Sequence, residues 1–166
     1  SALYDALPGH DRICGQIGAF PTEAHRAGLY SAPHVVVSCV DSMAGRKDIA
    51  SWCCEQRVPM FIDCRVLAET AAVACVAASE SGMRGTELAN RYGSYLARLP
   101  SDDEVPPLAC GERGTAYVGM WLAARVAATI NNWCRGVPPA SLTVWQVGAN
   151  VRMGGGGARE QASTTE

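Results

Sequence analysis

The 166-residue chain is sparing in charge, in aromatic rings and in long apolar runs, and each shortage excludes something. Charged residues make up 18% and the net charge is -2. A domain that grips phosphodiester backbones carries a basic face, so nucleic acid is not an expected partner. The strongest apolar run, 35–40, is strand length and falls far short of the ~20 residues that span a bilayer, so no membrane partner is expected either. No secretory leader opens the chain. No C-x-x-C pair occurs, and the adjacent Cys53 and Cys54 would point apart on a helix, so no structural zinc is expected. No glycine loop links a strand to a helix; the glycines at 154–157 follow the final strand and precede no helix. His10, His25 and His34 are scattered without a Ser or Cys partner pattern, which removes support for a hydrolase triad.

What remains is globular. Hydrophobic residues make up 48%, enough for one domain with a substantial core. Eight cysteines permit a disulfide framework. Cys39, Cys64 and Cys75, however, lie in apolar strand-like runs, where a free thiol behaves as a small hydrophobe. Reduced thiols and a cytoplasmic location are the resulting expectation.

Residues 2–7 read as the end of a helix stopped by Pro8-Gly9, which with Ser1 at the first position suggests truncation upstream. Residues 12–20 have strand character. Thr22 can cap a short helix reaching about Tyr30. The run 34–40 is the clearest strand, and its continuous apolar character implies burial on both faces, as in a parallel sheet. A helix over 43–56 should turn Ile49, Trp52 and Cys53 to that sheet. Residues 58–63 form the next strand, completing a βαβ unit, and a further strand-like run over 70–78 follows at once.

A helix over 86–98 precedes an exposed acidic loop at 101–107. The longest helix runs over 113–135, with Val118, Leu122, Val126 and Ile130 as an i, i+4 stripe and Gly136 as its stop. The last strand covers 141–147 and pairs with 150–153.

Two places could hold chemistry. Asp41 stands at the carboxyl end of a strand, where open α/β sheets bind ligands, and at the start of a helix. It can hold Mg²⁺ carrying nucleotide phosphates, or it can simply cap the helix. Arg46, one turn on, either orients that carboxylate or phosphate or is a surface neighbour. Cys110 lies between a proline-containing loop and a helix start beside Arg113, a setting that favours thiolate; a small residue at a tight junction is the alternative.

Read in order, Asp41-Ser42, Arg46, Val58-Pro59, Cys110, Gly114-Thr115, the alanine-rich helix and Gly136 resemble the ThiF/MoeB/HesA family, prokaryotic relatives of ubiquitin-activating enzymes. The resemblance covers roughly 2–153. It implies a Rossmann-like α/β domain over 1–153, with a mostly parallel sheet, flanking helices and no N-terminal glycine-loop βα unit, followed by a disordered tail over 154–166. It further implies ATP-dependent adenylation of the C-terminal carboxylate of a ubiquitin-like or sulfur-carrier protein. Asp41 would hold Mg²⁺-ATP, Ser42 would stand where the family usually has Asn, Arg46 would match the family Arg, and Cys110 would be the reactive thiol. A homo- or heterodimer is implied. Without the glycine loop, ATP binding by this chain should be poor. The alternative is a non-catalytic family member that binds or dimerises with an active partner. A generic dinucleotide-binding domain fits the strand pattern but lacks its glycine fingerprint and ribose-binding acid.

Overall fold

The computed structural model describes residues 20–28, 32–78, 85–104 and 116–147, and the backbone of 151–154. The expected helix end at 2–7, nearly all of the strand at 12–20, and Cys110 with Gly114-Thr115 lie outside the described residues. A short helix α1 (Glu23–Arg26) starts on Thr22, whose hydroxyl accepts from the His25 amide as the sequence predicts. Strand β1 (Val35–Ser38), helix α2 (Met43–Glu55) and strand β2 (Met60–Leu67) form the βαβ unit, with β1 and β2 parallel.

The rest of the sheet departs from the expected parallel order. Strand β3 (Thr70–Ala77) pairs antiparallel with β2, β4 (Leu142–Gln146) antiparallel with β3, and β5 (Val151–Gly154) antiparallel with β4. The sheet order is β1-β2-β3-β4-β5, with one parallel pair. For β3 the reason is connection length. Leu67 opposes Thr70, so only Ala68 and Glu69 join the strands. Two residues can close a hairpin, whereas a parallel return needs a crossover of a dozen or more. Ala68 takes a positive φ of 49° at this turn.

Strand β1 also differs from expectation. It is the outermost strand of the described sheet, and Val37 is 41% exposed. A continuous apolar run does not by itself separate a central strand from an edge strand, because either can bury part of both faces.

Two cores flank the sheet. On one face α2 and helix α3 (Thr86–Leu96) bury Ile49, Trp52, Cys53, Leu88 and Tyr92 against Val36, Phe61 and Val76. Tyr92 has no exposed surface and satisfies its hydroxyl by donating to the Val58 carbonyl at 2.9 Å. On the other face helix α4 (Ala116–Cys134) lays Val118, Leu122 and Val126 on Met60, Ile62 and Cys75, as its i, i+4 stripe predicts. Each such large side chain contributes roughly 1.5–3 kcal/mol by leaving water. The stop after α4 is Gly136, at φ 81°, a conformation that glycine adopts without steric cost. No described helix is long and apolar enough to cross a membrane.

Candidate functional site

The βαβ unit places the segment 39–46 at the carboxyl end of β1. A hydroxyl and a distant carboxylate cap the helix that starts there, and Asp41 takes no part in it. Ser42 is the N-cap of α2: its hydroxyl accepts from the Gly45 amide at 3.1 Å. Gly45 is required by that bond, since a Cβ on it would stand 2.8 Å from the Ser42 hydroxyl oxygen. The two amides before Gly45 are taken from a distance in sequence. Asp102, in the 3₁₀ turn Asp102–Glu104, accepts from the Met43 amide at 2.5 Å and from the Ala44 amide at 3.1 Å. Residues 101–104 of the loop that reads as merely exposed thus close onto the start of α2. A helix N-terminus attracts negative charge because its amides lack partners, and here a carboxylate of the same chain fills that position.

Asp41 is therefore not the cap. Its side chain is exposed, and no hydrogen bond reaches its carboxylate among the described residues. It stands on the rim of a cleft of about 560 Å³ between β1, β2 and α4, together with Cys39, Arg46 and Cys64. A second cleft, of about 330 Å³, lies on the opposite face and carries Arg65, Arg91, Arg98 and Tyr95.

Arg46 is not a surface neighbour. It is 5% exposed. Its guanidinium donates to the Asp63 carboxylate, to the Val40 carbonyl and, at 3.1 Å, to the Cys64 carbonyl. Asp63 has no exposed surface and is the hub of this network, accepting also from Arg65 Nε at 2.7 Å and from the Tyr95 hydroxyl at 2.9 Å. Burial, and then the Asp63 carboxylate, push the Tyr95 hydroxyl above its ordinary range, so it stays a donor. A buried carboxylate persists only when paired and hydrogen-bonded, and these three donors meet that condition. Asp63 belongs to no motif, but its place among apolar strand residues (Phe61-Ile62-Asp63-Cys64) is a signal in the sequence: a charge in a buried strand demands a buried partner.

Cys39 and Cys64 complete the rim. The neighbouring Cys64 side chain lowers the Cys39 thiol from its ordinary 9.0 to about 6, with burial opposing and Arg46 assisting. The same contact pushes Cys64 up, and burial adds to it. In the sequence both stand in apolar strand-like runs, where they read only as core residues.

The structure thus brings Asp41, Ser42 and Arg46 to one place, with different duties: an exposed carboxylate, a helix cap and a buried anchor. Among the described residues no group of three or more His, Cys, Asp and Glu is arranged to hold a metal ion. No family model and no curated protein matches the chain.

Proposed function

We propose that this chain supplies the carboxylate-bearing half of a ThiF-type adenylyltransferase, which activates the C-terminal carboxylate of a ubiquitin-like or sulfur-carrier protein with ATP. One observation carries the reading: the Asp41 carboxylate is exposed, unbonded among the described residues and set at the carboxyl end of a βαβ strand beside a cleft of about 560 Å³. Open α/β sheets bind ligands at that end. A single carboxylate suits Mg²⁺, which takes one or two protein oxygens and keeps waters and phosphate oxygens for the rest. Mg²⁺-ATP would supply the adenylyl group that makes an unreactive carboxylate susceptible to attack.

The chain's own residues divide the remaining work. Asp41 would hold the metal. Arg46 acts as a positioning residue: its bond to the Val40 carbonyl fixes the backbone just before Asp41. Ser42 fixes the helix start and keeps its hydroxyl proton for a ligand oxygen. Cys110 would accept the activated acyl group, in keeping with the resemblance. Pairing as a homo- or heterodimer belongs to the same proposal.

A second reading, a non-catalytic subunit of the same type, is favoured by a specific observation. The groups a phosphate would seek, the Arg46 guanidinium and the first amides of α2, are already engaged by Asp63 and Asp102. Equilibrium titration with Mg²⁺-ATP separates the two. The isolated chain should bind weakly or not at all. The product of the native reading frame should bind, and Asp41→Ala should weaken it at least tenfold. Absence of binding by that product supports the non-catalytic subunit. Tight binding by the isolated chain contradicts the idea that it holds only half of the site.

A further inference from the structure

Cys39 directly follows the last residue of β1, and Cys64 lies in the neighbouring strand β2. The β1–β2 register ends at Ser38 opposite Asp63, and Cys39 and Cys64 are the residues that follow on each side. Neighbouring strands lie about 4.8 Å apart, inside the roughly 4.4–6.8 Å between Cα atoms that a disulfide spans. The two side chains perturb one another, Cys64 lowering the Cys39 thiol and Cys39 raising that of Cys64. Both side chains line the 560 Å³ cleft, and their access differs: Cys39 is exposed, whereas Cys64 is 5% exposed. Of the two sulfurs, that of the exposed Cys39 is the more open to a reagent entering the cleft.

We propose that Cys39 and Cys64 form a thiol–disulfide redox site, with Cys39 as the attacking thiol, Cys64 as the resolving thiol and a low-molecular-weight disulfide as the oxidant. In the first step the Cys39 thiolate attacks one sulfur of that disulfide. A bond forms between Cys39 and that sulfur, the reagent's own S–S bond breaks, and the departing thiolate takes up a proton. In the second step Cys64 attacks the Cys39 sulfur, forming the Cys39–Cys64 bond and expelling the second half of the reagent as a thiol that carries the Cys64 proton. Two electrons pass from the protein sulfurs to the reagent, which leaves as two thiols. Oxidation would tie β1 to β2 two residues before Asp41. None of this chemistry requires a nucleotide.

The test treats the native chain with glutathione disulfide, blocks the remaining thiols and maps the tryptic peptides. Residues 27–46 and 58–65 each contain a single cysteine, Cys39 and Cys64, so a linkage between these two peptides is unambiguous. The expected result is a 27–46 to 58–65 disulfide with no glutathione retained on either. Cys64→Ser should trap glutathione on Cys39, and Cys39→Ser should leave Cys64 unmodified. Glutathione retained on Cys39 in the unmutated chain, Cys64 joined to any other cysteine, or both thiols left reduced would overturn the proposal. Phenylarsine oxide, which bridges neighbouring thiols, tests the same pair without mutation: it should shield both peptides from iodoacetamide, and failure to shield them counts against the site.

Discussion

Arg46 and Asp63 form an ion pair inside the molecule, with side chains 6% and 0% exposed. One residue lies on the first turns of α2 and the other in the middle of β2, so the pair ties the crossover helix to the strand it leads into. Because the same guanidinium also holds the Val40 carbonyl, the pair sets where β1 ends and where Asp41 begins.

Arg46→Ala should therefore be a stability variant. Removing one partner of a buried pair leaves the other charge uncompensated, at a cost of about 3–5 kcal/mol. Urea unfolding should show a loss in that range. An arginine kept at the surface for a ligand would cost no more than about 0.5 kcal/mol, so a near-neutral variant would mean that Arg46 is not the anchor described.

The caps of α2 give a second, smaller effect. Ser42→Ala and Asp102→Ala each remove an acceptor from the first amides of the helix, and each should cost about 1 kcal/mol in the same urea assay. Asp102→Ala should in addition speed proteolysis within 101–104, because its carboxylate is what docks that segment. Unchanged proteolysis would show that other contacts hold it.

The sequence made the local parts of this arrangement legible and the long-range parts not. Thr22, Gly136, the α4 stripe of Val118, Leu122 and Val126, and the inward face of α2 follow from neighbours a few residues apart. Strand direction does not follow from strand composition, and the parallel order expected of β3 failed on the two-residue link at Ala68-Glu69. The site shows the same division. Asp41 at a strand end is visible in the order of residues. That Asp102 reaches the α2 amides across 58 and 59 positions, or that Arg46 meets Asp63 across 17, is a product of chain folding with no local pattern to announce it.

The buried thiols predict a loss of stability in alkali. Burial pushes Cys53 and Cys75 up from an ordinary 9.0 to about 12. Between those values the unfolded chain releases these protons while the folded chain keeps them. The unfolded state then binds fewer protons, so stability falls as pH rises. The contribution is complete below about pH 9 and is lost toward 12. The urea midpoint should drop between pH 8.5 and 11, and Cys53→Ala with Cys75→Ala should flatten that slope. An equally steep slope in the double variant would assign the effect elsewhere.

The role of Asp41 is tested most directly by ATP–pyrophosphate exchange in the product of the native reading frame, with Mg²⁺ and a carrier protein bearing a free C-terminal carboxylate. Because Asp41 is exposed and makes no bond among the described residues, Asp41→Ala should leave the urea midpoint within about 0.5 kcal/mol of the unmutated protein while abolishing exchange. Exchange that persists undiminished in a folded Asp41→Ala variant would contradict the account.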